Sequence, residues 1–201
     1  MTQARPPLPN SYQGLFNQAQ MVQRSGDIEG AIAIYRRLTE KLDRLSDRIL
    51  ERRPDLGKMH QQAGLSLSDL LLLDARFAEA YAVRSHLLDR YPDSAGDWRR
   101  DLATLRVAKG EVEAGLAELR ALAEEEPNDP SGWLVLGIEA RTEGRFAESE
   151  AALDRAVEAA GQDGEQELGV AHYQRFLLFK AMGRLDAAVA AWEQAASCDA
   201  G

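Results

Sequence analysis

The residue types that most often perform chemistry are few in this chain and stand far apart. Gly57 and Lys58 lack both the preceding glycine and the following Ser or Thr of a phosphate-binding loop. Cys198 has no basic neighbour that would favour its thiolate. The histidines have no second histidine, cysteine or carboxylate at the short spacings typical of zinc sites. The sequence therefore predicts no catalytic site, no cofactor, no metal site and a protein that is not an enzyme. The three histidines are His60, His86 and His172.

The chain is organised around short amphipathic helix pairs, most clearly between residues 131 and 161. A first helix carries apolar side chains at helical spacing, and after a turn at Gly144 a second helix does the same. Each apolar stripe is too narrow to stabilise a helix on its own. It must therefore be buried against the other helix and against neighbouring pairs. The stripes consist of Trp133, Leu136, Gly137 and Ala140, and then of Phe146, Ser149, Leu153 and Ala156.

The turn at Gly144 recurs along the chain and gives the repeat length. Equivalent turns stand 34 residues earlier at Gly110, a further 35 residues earlier at Ala75, and 39 residues after Gly144 at Gly183. Another turn, at Gly26, precedes Ala75 by 49 residues, so the connection between the first two pairs is unusually long. This spacing predicts helix pairs over residues 10–38, 60–91, 96–126, 130–160 and 168–199.

This pattern resembles that of the tetratricopeptide repeat. The tryptophan, Leu-Gly, small-residue and large apolar positions of that repeat are matched by Trp133, Leu136, Gly137, Ser149 and Leu153. The resemblance implies an all-α, right-handed superhelical solenoid of about five antiparallel helix pairs. Small residues such as Ala103 and Gly115 would stand where paired helices cross, and enlarging them is predicted to overpack the crossing.

The resemblance also predicts a binding groove, because in this family the first helix of each pair lines a concave surface. Apolar groove residues would anchor a protein or peptide segment, and Arg100, Arg141 and Lys180 would orient an acidic partner. The alternative is that these residues only pack against a neighbouring helix. The implied function is a non-catalytic scaffold or assembly adaptor. The predicted groove residues are Arg100, Thr104, Val107, Leu134, Ile138, Arg141, Tyr173, Leu177 and Lys180.

The long connection predicts an elongated helical hairpin over about residues 39–66. A heptad-like apolar seam through Leu42, Leu45 and Ile49 predicts that the second helix of the first pair runs on to about Arg52. One face of this helix would be basic. It is either a solvated face of salt bridges or a docking face for an acidic partner, and its interleaved acids disfavour binding to an anionic membrane. The basic residues are Arg37, Lys41, Arg44, Arg48 and Arg52.

Charge and composition exclude several other classes of protein. The formal net charge of -9 disfavours nucleic-acid binding, and no apolar run is long enough to span a membrane. Residues 1–9 contain three prolines and no apolar run, so they are expected to form a flexible arm and not a secretory signal. A single cysteine allows no internal disulfide. We therefore expect a cytoplasmic protein with one solenoid domain over residues 10–201.

The last helix pair suggests two further hypotheses. Val189 and Trp192 would leave apolar surface exposed at the end of the solenoid, which favours self-association, with a homodimer as the simplest form. A structural self-assembly module is therefore the alternative to an adaptor. A sensor of a small ligand or peptide is a third hypothesis, and it would require a pocket that joins His172, Tyr173 and Arg141.

Overall fold

The computed structural model describes residues 11–92, 96–163 and 165–198, and across these ranges the chain is helical with no β-strand. It divides into two compact units, residues 1–95 and 96–201. The all-α fold is confirmed. The predicted arm at residues 1–9 lies outside the described residues, and the single domain over residues 10–201 stays a prediction. Within the described ranges, no helix combines the length and the apolar character needed to cross a lipid bilayer.

Unit 1 contains two antiparallel helix pairs joined by a short extra helix. Helix α2 packs against both α1 and α4, and α4 packs against α5. Side-chain caps fix the starts of the first two helices, because Ser11 Oγ accepts from Gly14 N at 3.0 Å and Asp27 Oδ1 accepts from Gly30 N at 2.9 Å. The helices are α1 (Tyr12–Arg24), α2 (Ile28–Asp43), α3 (Asp47–Arg52), α4 (Pro54–Leu73) and α5 (Phe77–Arg90).

Unit 2 contains three antiparallel helix pairs that stack in chain order. Each helix packs against the next along the chain, and the first helices of successive pairs also contact one another. The core runs through all three pairs and includes Trp133, whose Nε1 donates to the carbonyl of Pro127 at 3.0 Å. The helices are α6 (Gly96–Ala108), α7 (Val112–Glu125), α8 (Pro130–Thr142), α9 (Phe146–Asp163), α10 (Glu165–Ala181) and α11 (Leu185–Cys198).

The turns inside the helix pairs fall where the repeat spacing predicts them. The residue at each turn has a positive φ, which reverses the chain after the first helix of the pair. Four of these residues are glycines, for which this conformation is not strained, whereas the fifth is Ala75. The φ values are 84° at Gly26, 56° at Ala75, 98° at Gly110, 71° at Gly144 and 71° at Gly183.

The predicted continuous helix to Arg52 is wrong. Helix α2 ends at Asp43, and the separate helix α3 begins at Asp47. The apolar seam misled the prediction, because Leu42 is its last buried residue whereas Ile49 is 43% exposed. After the break, the buried position shifts by one residue to Leu50. The long connection between the first two pairs is therefore accommodated by α3 and by the 20-residue helix α4.

Candidate functional site

The first helices of three successive pairs form one continuous surface in unit 2. Helix α8 contacts both α6 and α10, so side chains that point away from the core on these helices share a face. Tyr173 is 42% exposed, Lys180 is exposed, and the other residues of this face are half-buried. We call this face the first-helix surface. Its half-buried members are Thr104, Leu134, Ile138, Arg141 and Leu177, of which Leu134 also packs against the core.

Two predicted groove residues have other roles. Val107 is only 3% exposed and belongs to the core, where it lies against Gly115 of α7. Its prediction as a groove residue is wrong, because the missing side chain of Gly115 lets α7 approach and cover it. Arg100 donates from Nη2 to Asp129 Oδ2 at 3.0 Å. Because Asp129 also caps α8 through Ser131 N at 3.0 Å, Arg100 helps to fix the start of α8 and is poorly placed to orient a partner.

The charges of the first-helix surface stand in the last turns of α8 and α10. Arg141 occupies the last turn of α8, and its buried Nε has no hydrogen-bond partner among the described residues. Lys180 occupies the last turn of α10, where its Nζ lies 5.9 Å from the ring centroid of Phe176. Burial, assisted by Glu143, raises the pKa of Glu139 above its ordinary value. The last turns of α8 and α10 therefore carry the two cations of the first-helix surface.

A second exposed apolar face lies between α10 and α11. The rings of Tyr173, Phe176 and Trp192 contact one another, with centroids 5.4 to 6.3 Å apart. Trp192 remains 51% exposed and Val189 57% exposed. The face borders a cleft of about 410 Å³, whose lining includes neither His172 nor Arg141, so the pocket required by the sensor hypothesis does not form there. The cleft is lined by Gln166, Gly169, Val170, Tyr173, Trp192, Ala195 and Ala196.

The predicted basic stripe is divided between two helices. Arg37 and Lys41 lie on α2, and Lys41 Nζ is 5.7 Å from the ring centroid of Tyr12. Arg44 is the C-cap residue that follows α2, and the remaining two basic residues, Arg48 and Arg52, belong to α3. The stripe on a single helix is therefore wrong, since the helix that would carry it breaks after Asp43.

A polar cluster that the sequence analysis missed stands inside unit 1. Asp43 Oδ1 lies 3.1 Å from His60 Nε2 and 2.7 Å from His86 Nε2. His60 Nδ1 lies 2.8 Å from the hydroxyl oxygen of Tyr91. His60 is 1% exposed, whereas the side chain of His86 is 53% exposed, so the cluster extends from the core to the surface. We call Asp43, His60 and His86 the His–Asp cluster.

The environment of the cluster keeps His60 neutral. Burial lowers the pKa of His60 to about 4, and the positive charge of Arg90 acts in the same direction. The Asp43 carboxylate opposes this shift but does not overcome it. A neutral imidazole between a carboxylate and a hydroxyl group can carry its single proton on either ring nitrogen.

The comparisons with known proteins agree with this architecture. Residues 100–164 match the sequence model of the tetratricopeptide repeat. A Podosopora anserina protein, described as having nearly identical TPR-like repeats of its own, superposes on this chain with a TM-score of 0.66. The two chains are 14% identical, and the superposition covers 96% of this chain and 97% of that one. MamA from Desulfovibrio magneticus RS-1, residues 41 to the end, superposes with a TM-score of 0.61 at 14% identity, covering 94% of this chain and 96% of that one.

A tetratricopeptide repeat protein from Parabacteroides merdae gives a TM-score of 0.62 at 16% identity, covering 92% of this chain and 66% of that one. No curated protein matches this chain in sequence. Residues 100–164 therefore match the tetratricopeptide repeat in sequence, and the structural likeness shows that this chain shares the fold of TPR-like repeat proteins. Repeats of this kind serve in general as protein-interaction scaffolds and present extended concave surfaces.

Proposed function

We propose that this protein is a scaffold or assembly adaptor that binds a protein segment on the first-helix surface of unit 2. The observation that carries the proposal is the grouping, on the two adjacent helices α8 and α10, of half-buried apolar side chains beside two cations. Leu134, Ile138 and Leu177 provide apolar contact area, and Arg141 and Lys180 stand in the last turns of their helices. A segment with apolar anchors and nearby carboxylates is complementary to this arrangement.

Charge reversal at the two cations tests the proposal. The variant Arg141→Glu/Lys180→Glu should lose a partner that wild type captures from a lysate, because each reversal replaces an attraction with a repulsion. A loss of about 1 kcal/mol or more at each position would weaken binding at least tenfold in total. Circular dichroism should show the same helical content in variant and wild type.

The matched control is Arg24→Glu/Lys58→Glu. Both control residues are exposed and lie in unit 1, and both double variants make the same change in net charge. The proposal expects the control to capture the partner as wild type does. Equal capture by all three proteins, or equal loss in both variants, would show that the first-helix surface does not make the contact.

Self-assembly is the second candidate function, and the face between α10 and α11 favours it. Val189 and Trp192 expose about half of their area beside the aromatic cluster, which is more apolar surface than scattered single residues present. If this face joins two copies, Trp192→Glu and Val189→Glu should lower the mass measured by light scattering to that of a monomer. Leu73→Glu is the control, because Leu73 is 74% exposed on unit 1 and should leave the mass unchanged.

A further inference from the structure

We propose that the His–Asp cluster of unit 1 binds one divalent transition-metal ion of the zinc class, with Asp43, His60 and His86 as its ligands. The three residues come from three helices that pack on one another: Asp43 ends α2, His60 lies in α4 and His86 in α5. One ligand atom from each side chain lies within 4.8 Å of the other two. A bound ion would therefore link these three helices at one point.

The ligand set suits an ion of this class. Imidazole nitrogens favour zinc, copper, nickel and iron, and a single carboxylate completes a three-residue set of the kind that leaves a fourth position for water. Ca²⁺ and Mg²⁺ prefer sites made only of oxygen, so they do not suit a site with two imidazoles. The number and types of ligand thus indicate a soft or borderline metal.

The distances are close to those that coordination requires. In a tetrahedral zinc site with bonds of 2.0 to 2.1 Å, two ligand atoms stand about 3.3 Å apart. Asp43 Oδ1 is already 3.1 Å from His60 Nε2 and 2.7 Å from His86 Nε2. An ion therefore requires these two pairs to separate by a few tenths of an ångström, and the two imidazole ligand atoms, which lie within 4.8 Å of each other, to stand at the same tetrahedral distance. The exposed His86 can move by this amount without disturbing the core.

Tyr91 supports the buried ligand from behind. Its hydroxyl oxygen is 2.8 Å from His60 Nδ1, the ring nitrogen opposite the proposed metal-binding nitrogen. Metal-bound histidines typically donate their second ring N–H to an oxygen, which fixes both the tautomer and the orientation of the ring. With Nδ1–H donated to Tyr91, the Nε2 lone pair of His60 is directed at the position between Asp43 and His86.

An ion can reach this position. Asp43, His60 and His86 line a cleft of about 220 Å³, so a fourth ligand from solvent has room. The Asp47 carboxylate opposes the nearby positive charge of Arg90, because Arg90 Nη2 lies 3.4 Å from Asp47 Oδ1, and the same Nη2 donates to the carbonyl of Leu45 at 2.7 Å. The site can therefore accept a cation despite the neighbouring guanidinium.

Titration of untagged protein with Co²⁺, and then displacement by Zn²⁺, tests the proposal. The background is Cys198→Ser, because a thiol would bind these metals itself. Tetrahedral Co²⁺ bound to nitrogen and oxygen ligands gives visible absorption bands, and we expect them to saturate at one ion per chain. His86→Ala and Asp43→Asn should weaken binding at least tenfold, and Tyr91→Phe about tenfold, the lower end of the usual effect of a supporting residue.

The remaining histidine provides the matched control. His172 lies in unit 2, so His172→Ala should leave the Co²⁺ affinity and stoichiometry unchanged. His86 is the main test position because its exposure allows substitution without unfolding, which circular dichroism verifies. Zn²⁺ should also raise the Tm of the parent protein but not that of His86→Ala. Weak binding that is equal in all variants would mean an adventitious ion only and would overturn the proposal, as would the absence of Co²⁺ bands in the parent protein.

Discussion

Substituting Gly115 tests whether close helix crossings hold unit 2 together. A Cβ at this position would lie 2.5 Å from Val107 Cγ2, 2.8 Å from the carbonyl oxygen of Ala103 and 2.8 Å from the amide nitrogen of Val107. Two of these three atoms belong to the backbone of α6, so a rotamer change cannot relieve the overlap. Gly115→Ala therefore requires α6 and α7 to separate.

The expected loss of stability combines two opposing effects. Alanine favours a helix over glycine by about 0.8 to 1.0 kcal/mol, whereas overpacking a close contact costs about 1 to 3 kcal/mol. Because the obstacle at Gly115 is mostly backbone, we take the upper end of the cost and expect a net loss of about 2 kcal/mol. Gly161→Ala should instead stabilise by about 1 kcal/mol, since a Cβ there meets nothing within 4 Å.

The stability of the Gly137→Ala variant should fall between those of Gly115→Ala and Gly161→Ala. Its added Cβ would lie 2.6 Å from Leu153 Cδ2 and 2.7 Å from Leu153 Cγ, which are side-chain atoms that can move. The overpacking cost and the helix gain should then nearly cancel, which leaves a net loss of about 0 to 1 kcal/mol for Gly137→Ala. The three variants thus make the same chemical change, and we expect the surroundings of the added methyl group to set their order of stability.

Urea unfolding monitored by tryptophan fluorescence measures these effects in the relevant unit. All three tryptophans, Trp98, Trp133 and Trp192, belong to unit 2, so their signal reports its unfolding. The midpoint should fall for Gly115→Ala and rise for Gly161→Ala, with similar slopes. Equal stability of the Gly115 and Gly161 variants would refute the reasoning, because helix propensity alone would then explain both.

Three other substitutions test single features of the fold. Ser149→Ala should destabilise unit 2 by about 1 kcal/mol in the same urea assay, because the buried Ser149 Oγ donates to the carbonyl of Gly137 at 2.7 Å. Ala75→Gly should raise the free energy of unfolding by about 0.5 to 1 kcal/mol, since Ala75 has φ 56° where the equivalent turns have glycine. The gain should appear as a higher thermal midpoint measured by circular dichroism. Burial, and then the charge of Arg175, lower the pKa of His172 below 6.5, so its stabilising contribution is complete above that pH and is lost as the pH falls. The unfolding free energy of wild type should therefore drop relative to His172→Gln between pH 7 and 5, and parallel curves would contradict this sign.

The repeat architecture could be predicted from the sequence because its determinants are local. Each turn depends on one residue that adopts a positive φ, and glycines at nearly regular spacing indicate where these turns fall. The helix pairs then follow from apolar residues at helical spacing. Even Ala75, which lacks the glycine, could be placed because the segment around it repeats the pattern of its neighbours.

The break after Asp43 could not be predicted, because the apolar spacing is continuous across it. Leu42, Leu45 and Ile49 fit one helical seam, and no proline or glycine interrupts them. The break is a matter of tertiary packing, which buries Leu50 and leaves the seam residue Ile49 43% exposed. Burial of Val107 is a similar case, since it depends on the approach of α7 at Gly115.

The His–Asp cluster could not be predicted from short ligand spacings, because repeats bring together residues that are far apart in sequence. In an antiparallel pair, residues at similar distances from the turn lie at similar heights. His60 precedes the turn residue Ala75 by 15 positions and His86 follows it by 11, a difference of four residues, or about 6 Å along the helix axis. Asp43, the last residue of α2, joins them because α2 packs against α4 and ends level with the two histidines. For a chain built from helix pairs, the informative spacing of candidate ligands is therefore their distance from the nearest turn, and by this measure two of the three histidines already stand together.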